Sequence, residues 1–208
     1  MMLILGVFLL FVSGDAQDLT PDCTVIPGKL RQISCGFGQV YGVNNANNVF
    51  YRMNNKWEQV PGQLLSVATG PGGTWGINPK YNIYRLQGST WMQVTGSLLQ
   101  LDSGGFQFLA GVTLDNKAVC LNQDDTLSGK SEVTFITYNL DLKYIACTQS
   151  VCWGVNSTND VLLITGVQPY RCQGSGSQVV PGQKLYVITV SYDGSVFGLS
   201  PGGLIYRR

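Results

Sequence analysis

The sequence predicts an all-β protein, a β-propeller of five four-stranded antiparallel blades, and three observations carry this prediction. A small unit recurs along the chain, each copy contains short apolar segments separated by turns, and the two chain ends complement each other. Two copies share anchors at almost constant spacing: Pro27-Gly28 and Pro61-Gly62, Gly42-Val43-Asn44 and Gly76-Ile77-Asn78, Tyr51-Arg52 and Tyr84-Arg85, and Trp57 and Trp91. Independent globular segments would not keep that spacing, so the repeat determines the fold class.

The first unit shows how four strands follow from its residues. Gly36-Phe37-Gly38 and the Asn-rich segment Asn44 to Asn48 are turns, since Gly and Asn tolerate left-handed conformations and Asn side chains bond the local backbone. Between and after these turns, short apolar segments predict strands at 30–34, 39–43, 49–52 and 57–60. Four short strands joined by tight turns make one antiparallel blade.

The other units are placed on the same anchors. The glycine at Gly42 recurs as Gly76, Gly111, Gly154 and Gly198. The predicted repeats cover about 27–59, 60–93, 94–136, 137–178 and 179–208. Insertions at Gln123 to Ser131 and Gly166 to Gln178 fall at blade turns, which are exposed and tolerant. No stretch after the N-terminal segment shows helical periodicity with caps.

The two ends of the repeat array predict how the ring closes. Residues 22–26 stand where a fourth strand should be, because Cys23 precedes Pro27 by the spacing that separates Trp57 from Pro61. The fifth unit ends at Tyr206-Arg207, just where its own fourth strand should follow. We therefore expect the N-terminal strand to complete the last blade, which would remove open sheet edges. A larger ring lacking one whole repeat would leave the same two ends, and that alternative stays open.

The composition of the chain argues against several classes of function. The length of 208 residues is enough for one domain with a substantial core. A net charge of +1 and only 12% charged residues argue against nucleic-acid binding, and 44% apolar residues argue against disorder. The chain has no histidine, which removes His-based triads, the usual general base at neutral pH and the commonest transition-metal ligand.

The N-terminal segment predicts secretion. Met2 to Val12 is almost wholly apolar and is followed by the small residues Ser13, Gly14 and Ala16. The run is too short to span a bilayer, so we interpret residues 1–16 as a secretory signal peptide and 17–208 as the propeller. The alternative interpretation is a buried N-terminal strand. No later run is apolar enough for a membrane helix.

The repeated motifs resemble tectonin repeats, and the run from Asp22 to Pro27 onward is similar to the fish-egg lectins. The motifs that carry the resemblance are Pro27-Gly28-Lys29-Leu30, Gly42-Val43-Asn44, Trp75-Gly76-Ile77-Asn78, Asn82-Ile83-Tyr84-Arg85 and Trp153-Gly154-Val155-Asn156. The resemblance implies a secreted propeller that binds N-acetylglucosamine and microbial surface glycans in egg or innate defence. It also implies a further repeat, giving six blades, and a C-terminal cysteine bonded to the N-terminal one, neither of which follows Arg208 here.

Six cysteines in a secreted chain predict disulfides. Cys147 and Cys152 flank a four-residue turn between two strands, where opposed positions can meet disulfide geometry. A bridge between Cys120 and Cys172 would join adjacent blades, and the family resemblance points the same way. For Cys23 and Cys35 three options remain: a mutual bond, free thiols, or links between chains.

Aromatic and polar residues at recurring blade positions are candidate sugar ligands. Aromatic rings suit the apolar C–H face of a sugar, while Asn and Arg side chains fix hydroxyl and acetamido groups. The candidates are Asn44, Tyr51, Arg52, Trp57, Asn78, Tyr84, Arg85, Trp91 and Asn156. The alternative for the aromatic residues is packing within and between blades, and for the asparagines a role in turns. Arg52, Arg85 and Arg207 are assigned to one shared blade position, and Asn156 also begins an N-glycosylation sequon.

The sequence favours a secreted carbohydrate-binding lectin over an extracellular propeller scaffold that binds proteins without sugar. A hydrolase ranks last, because no nucleophile–base pair, metal cluster or Gly-rich phosphate loop is evident. Asp124-Asp125 and Asp141 form no spaced calcium-ligand set, so we predict no metal and no cofactor. The expected partners are glycans that carry N-acetylglucosamine and bacterial glycans, with no nucleic acid and no membrane span. A homo-oligomer stays open.

Overall fold

The computed structural model describes residues 25–191 and 193–208, and β-strands dominate this part of the chain. The first sheet contains β1 (Gln32–Gly36), β2 (Gln39–Val43), β3 (Asn48–Met53) and β4 (Lys56–Gln63), and the second contains β5 (Ser66–Gly70), β6 (Gly73–Ile77), β7 (Asn82–Gln87) and β8 (Thr90–Ser97). The third contains β9 (Gln100–Asp102), β10 (Leu109–Val112), β11 (Lys117–Leu121) and β12 (Ile136–Asp141). The fourth contains β13 (Tyr144–Cys147), β14 (Cys152–Val155), β15 (Val161–Thr165) and β16 (Gly176–Val180), and the fifth contains β17 (Val187–Val190), β18 (Val196–Leu199) and β19 (Ile205–Arg207).

Each sheet is one blade of a propeller. Strands that follow each other in the chain are hydrogen-bonded neighbours in every sheet, as short antiparallel connections require. The first strands of the blades converge on a central axis, where residues from all five blades line a cavity of about 150 Å³. The predicted all-β propeller of five blades is confirmed, with four strands in each of four blades and three described strands in the fifth.

The predicted closing strand at residues 22–26 falls mostly outside the described residues, as does the predicted signal peptide at residues 1–16. Val25 and Ile26 are described, and both are exposed and belong to no strand. Pairing with the fifth blade is therefore not seen for these two residues, and for the rest of the segment it stays a prediction.

One backbone hydrogen bond recurs at each of the four junctions between sequential blades. A residue with positive φ in the turn after the second strand offers its carbonyl to the N–H of a leucine that enters the next blade. The pairs are Leu64 with Asn47 (2.9 Å), Leu98 with Tyr81 (3.1 Å), Leu142 with Asn116 (2.8 Å) and Leu185 with Asn159 (2.9 Å). Asparagine adopts the left-handed conformation more readily than most residues, which explains its use at three of these turns.

The leucines at these junctions also pack against the repeated glycines. A Cβ added at Gly111 would lie 2.7 Å from Cδ1 of Leu98 and 2.9 Å from the carbonyl oxygen of Gln100. The same crowding by leucine occurs at Gly42 with Leu30, Gly76 with Leu64, Gly154 with Leu142 and Gly198 with Leu185. The recurring glycine is therefore required by packing, because close-packed interiors leave no room for another methyl group.

Four apolar clusters of the described residues lie between sequential blades. Trp75 of the second blade and Leu109 of the third are fully buried in one cluster, and Ile145 and Ile164 are buried in the next. Burial of each large apolar side chain stabilises the fold by about 1.5–3 kcal/mol. Each blade thus depends on its neighbours for most of its core.

Both predicted disulfides are present. Cys147 and Cys152 pair across the hairpin between β13 and β14, and Cys120 joins Cys172 from the next blade's insertion, with Cα–Cα distances of 4.0 and 6.0 Å. Cys35 is an exposed free thiol, and Cys23 lies outside the described residues.

The insertion of the third blade contains one short helix, α1 (Gln123–Leu127), where the sequence predicts none. Asn122 caps it, because its side-chain oxygen accepts the N–H of Asp125 at 3.1 Å. Five residues are too few to show a helical period, so the sequence does not predict this helix. No helix in the described ranges is long and apolar enough to cross a membrane.

The strand register corrects the matching of Tyr51-Arg52 with Tyr84-Arg85, because Tyr84 lies opposite Gly76 whereas Phe50, and not Tyr51, lies opposite Gly42. Arg85 lies opposite Trp75 and Arg207 opposite Phe197, each one position from the repeated glycine. In the first blade that position belongs to Tyr51, which lies opposite Tyr41, so Arg52 is shifted by one residue. Because adjacent strand residues face opposite sides of a sheet, Arg52 does not share the position of the other two arginines.

Asp102 is a carboxylate at the inner end of the third blade. Its Oδ2 atom accepts the N–H groups of Gly104 and Cys147, each at 3.0 Å, and so links two blades. Desolvation raises the pKa of Asp102 to about 6, and the two backbone hydrogen bonds oppose this only in part. The Asp102 carboxyl therefore holds its proton more tightly in the folded state than in the unfolded state.

Replacing Gly111 with alanine is expected to destabilise the propeller by about 1–3 kcal/mol, because the new methyl group meets a backbone carbonyl that cannot move independently of its strand. Gly202→Ala is the matched control, since the nearest atom to its added methyl is 3.8 Å away and its φ lies outside the left-handed region. The control should change the free energy of unfolding by less than about 0.5 kcal/mol. Denaturant unfolding of both variants measures the difference, and equal stabilities would contradict this packing role.

Asp102 is expected to make the protein less stable as pH rises. A folded-state pKa of about 6 lies above the unfolded value of 3.8, so the contribution of this group is fully present below pH 3.8 and is lost as pH rises through 6. Between pH 4 and pH 7 the wild-type protein should lose on the order of 1–3 kcal/mol of unfolding free energy through this group. Asp102→Asn should not show this loss, because asparagine does not titrate. Unfolding free energies of both proteins across this range test it, and parallel pH profiles would refute the assignment.

Candidate functional site

A cavity of about 560 Å³ lies where the outer strand of the first blade leads into the second blade. One wall is the segment Pro61 to Leu64, which includes the end of β4, and another is the turn residue Ser89 with Thr90 and Trp91 at the start of β8. Asn78, Tyr84 and Trp91 complete the lining. Three of the predicted sugar ligands are therefore brought together here, and we call this cavity the second-blade pocket.

Trp91 lies against the glycine of the Pro-Gly anchor. A Cβ added at Gly62 would meet Cδ1 of Trp91 at 2.9 Å, and the φ of +124° at Gly62 also disfavours other residues. The indole is half-buried, and its Nε1 atom is buried without a hydrogen-bond partner. The Nε1 edge of the indole is therefore covered by the Pro-Gly segment, and only the rest of the ring can face the pocket.

Tyr84 and Asn78 form the polar side of the second-blade pocket. The Tyr84 hydroxyl accepts the Nδ2–H of Asn78 at 3.4 Å and donates to Oε1 of Gln93 at 3.3 Å. The Oδ1 atom of Asn78 is occupied, because it accepts the N–H groups of Lys80 and Asn82, each at 2.9 Å. The long contacts of the hydroxyl and of Nδ2 leave these two groups able to bind a ligand as well.

The second-blade pocket combines one aromatic ring with amide, phenol and hydroxyl groups. This mixture of an apolar face and a few fixed polar groups is typical of sites for small polar organic ligands. No group of three or more His, Cys, Asp or Glu side chains in the described ranges is placed to hold a metal ion.

Two further cavities occupy related places at the Pro-Gly anchors. One of about 290 Å³ contains Gly28, Leu30 and Trp57, and one of about 210 Å³ contains Gly182 and Leu185. The glycine and the leucine recur in all three cavities, but the other walls differ. The cavity at Gly28 contains Arg31 and Ile33, and the cavity at Gly182 is mostly apolar.

The other predicted asparagines have turn roles. The Oδ1 atom of Asn44 accepts the N–H groups of Ala46 and Asn48 at 3.0 and 2.9 Å. Asn156 holds its turn in the same way, with N–H groups of Thr158 and Asp160 at 3.0 and 2.8 Å. Neither residue lines the second-blade pocket, and the glycosylation of Asn156 stays a prediction.

The predicted residues of the first blade are also separate from the second-blade pocket. Tyr51 packs on Tyr41 with ring centroids 4.7 Å apart, beside an interblade cluster. The guanidinium of Arg52 lies over the ring of Trp57 at 5.5 Å, and Trp57 faces the cavity at Gly28. These contacts agree with the packing alternative for Tyr51.

Arg85 is buried and supports the neighbouring insertion. Its guanidinium donates to the carbonyls of Thr126 at 2.9 Å and Lys130 at 2.7 Å, and more weakly to Asp125 at 3.4 Å. It also lies over the ring of Trp75 at 5.1 Å. Desolvation lowers the pKa of Arg85, but arginine stays charged in proteins. Arg85 does not line the second-blade pocket, so it is placed to hold the third-blade insertion.

Sequence reasoning missed several residues that line the second-blade pocket. Pro61 and Gly62 were recognised as an anchor, but their place beside Trp91 depends on the extension of β4 through both residues. Ser89 ends the short turn before β8, and Thr90 is the first residue of that strand, next to Trp91. Their adjacency to the tryptophan is the only signal that could have indicated them.

The fold and the repeated pockets define a propeller in which several related cavities lie at blade entrances. A family model described as the tectonin domain matches residues 29–208. The fish-egg lectin of Cyprinus carpio is 54% identical over 189 residues, which cover 90% of this chain and 79% of the carp protein. The chain belongs to the tectonin-domain family.

Solved structures show the same architecture at low sequence identity. Human WBSCR16 is 13% identical with a TM-score of 0.63, and the match covers 86% of this chain and 61% of that chain. The WD40 β-propeller domain of Doa1 is 9% identical with a TM-score of 0.59, and the match covers 86% of this chain and 62% of that one. The chain thus spans less than two thirds of both, and these likenesses concern the fold alone.

Arg85→Ala is expected to loosen the third-blade insertion, because it leaves carbonyls at Thr126 and Lys130 without their donor. The expected loss is about 2–4 kcal/mol of unfolding free energy, with faster amide exchange across residues 123–131. Arg52→Ala is the control and should cost at most about 1 kcal/mol, since it loses mainly one ring contact. Hydrogen exchange measured by mass spectrometry tests both, and unchanged protection of 123–131 in Arg85→Ala would contradict this role.

Proposed function

We propose that this protein is a secreted lectin that binds N-acetylglucosamine-type residues and microbial surface glycans through the second-blade pocket. The observation that carries the proposal is the convergence of Trp91, Tyr84 and Asn78 on one cavity. The name of the carp relative, fish-egg lectin, supports the same class of ligand. Roles in the egg or in innate defence follow as part of this proposal.

The pocket offers a matching group for each part of an N-acetylated sugar. The half-buried indole of Trp91 suits the apolar C–H face of the ring. The Nδ2–H of Asn78 is a donor for an acetamido carbonyl. Hydroxyl groups of Tyr84, Ser89 and Thr90 can exchange hydrogen bonds with those of the sugar.

Secretion is supported by the two disulfides, because such bonds persist in oxidising compartments. The apolar segment Met2 to Val12 supports the same location. The related cavities at Gly28 and Gly182 would allow weak sites to combine on clustered glycans, which raises avidity. We propose no catalytic role.

A protein-binding scaffold is the second candidate, and one observation favours it. The fifth blade exposes the apolar side chains of Leu204 and Ile205, which are 63% and 74% accessible. Exposed apolar patches often mark contacts with other proteins. This alternative requires no sugar in the second-blade pocket.

The test is binding of the secreted chain to N-acetylglucosamine resin, to chitin and to a glycan array. Trp91→Ala should weaken binding at least tenfold, which is 1.4 kcal/mol, and Tyr84→Phe should weaken it less. Trp57→Ala is the comparison variant, because it removes the corresponding tryptophan from the cavity at Gly28, which is proposed as a weaker site, so it should weaken binding less than Trp91→Ala. Circular dichroism and unfolding curves confirm that each variant is folded.

Two outcomes would reject this proposal. If the folded wild-type chain passes both resins unretained and binds no array glycan, the protein is not a lectin of this class. If it binds but Trp91→Ala and Trp57→Ala reduce binding equally, the second-blade pocket is not the main site.

A further inference from the structure

A polar cavity of about 320 Å³ lies between the third and fourth blades. One side is formed by Thr137 to Leu140 on β12, and the other by the end of the fourth-blade insertion and the start of β16. We call it the junction cavity. It shares no lining residue with the second-blade pocket and belongs to different blades.

Arg171 provides a free cation at the junction cavity. Its side chain is exposed and makes no hydrogen bond or ion pair within the described residues. No aspartate or glutamate lines the cavity. The nearest acidic residue along β12, Asp141, is already paired with Lys117 at 2.6 Å. A guanidinium without a carboxylate is suited to an anionic ligand.

The backbone around Arg171 is held in place before any ligand binds. Arg171 and Gln168 exchange two backbone hydrogen bonds of 2.9 and 3.2 Å, and the Arg171 carbonyl also accepts the N–H of Gly174 at 3.1 Å. The next residue, Cys172, is fully buried and bonded to Cys120. Preorganisation of this kind lowers the entropy lost on binding.

Uncharged hydrogen-bonding groups line the same cavity as Arg171. The side-chain oxygen Oε1 of Gln173 is buried without a partner, and Gln173 lines the cavity together with Asn139, Ser175 and Ser177. Asn139 is held with a φ of +55°, and its N–H donates to the Thr137 hydroxyl at 3.1 Å. Several hydroxyl and amide groups beside one cation match a polyhydroxylated ligand with one negative charge.

We propose that the junction cavity binds an anionic saccharide residue, one that carries a carboxylate or a sulfate. The oxyanion contacts the guanidinium of Arg171, and the sugar hydroxyls contact Asn139, Ser175 and Ser177. A neutral sugar lacks the group that this cation requires. Longer polyanions such as nucleic acids are disfavoured, because Arg171 is the one charged residue of the insertion Gly166 to Gln178. The site goes beyond the proposed lectin function and differs from it in ligand charge.

The test is a titration of the full chain, followed by amide NMR, with glucuronate, N-acetylneuraminate, glucose 6-sulfate and glucose. The anionic sugars should bind at least tenfold more tightly than glucose and shift amides near Arg171. Comparison of the carboxylates with the sulfate identifies which oxyanion the site prefers. Raising the salt concentration should weaken the anionic sugars and leave glucose unchanged.

Variants decide whether Arg171 is responsible. Arg171→Gln should remove the preference for anionic sugars, and Arg171→Lys should retain part of it while losing the planar fork that suits a carboxylate. Gln173→Glu should weaken anionic sugars by adding a like charge. Lys56→Gln removes an exposed cation of the first blade and should change nothing.

The proposal is overturned if the anionic sugars bind no more tightly than glucose, or if Arg171→Gln and Lys56→Gln lose affinity equally. Saturating N-acetylglucosamine should leave the titration unchanged, because the two ligands use different cavities. Loss of N-acetylglucosamine binding in Trp91→Ala with intact glucuronate binding would separate the two sites. Failure of the lectin proposal therefore would not by itself remove this one.

Discussion

The structure depends on one leucine at the entrance of each of the second to fifth blades, which makes two contacts at once. Its N–H binds the carbonyl of a left-handed turn residue in the preceding blade, and its side chain packs against a glycine of its own blade. The first contact determines where a blade begins relative to its neighbour, and the second determines how closely its strands approach. The Pro-Gly segment directly before Leu64 becomes a wall of the second-blade pocket as a result. Fold and candidate site therefore share one constraint.

The repeat predicted the number of blades and their four-strand plan, because glycine, asparagine and short apolar segments are local signals. The pairing of Cys147 with Cys152 was also predictable, since both flank one hairpin. The role of Arg85 was not predictable from the sequence. The carbonyls that it binds lie in the insertion of another unit, and the spacing of the repeat does not indicate which residues of an insertion meet a given blade. Arg52 was misplaced by one residue, because a single shift in strand register exchanges the two faces of a sheet.

The candidate site residues were predicted as a repeated set, but the structure brings together only part of that set. Trp91, Tyr84 and Asn78 meet because the outer strand, the third strand and the turn of one blade border the same cavity. Asn44 and Asn156 keep the turn function of Asn78, but Phe50 and Leu162 stand in those blades at the register position of Tyr84. The junction cavity depends on an insertion outside the repeat, so a search for recurring motifs could not reveal it.

The glycine and leucine at each entrance recur in all three cavities and Trp57 matches Trp91, whereas most of the other wall residues differ. Substitutions on those walls can therefore alter what a cavity accepts while the blades stay joined. Over evolutionary time, a duplicated unit of this kind can acquire a new ligand without first weakening the scaffold. The cavity of one blade can then change its specificity while the cavities of the neighbouring blades keep theirs.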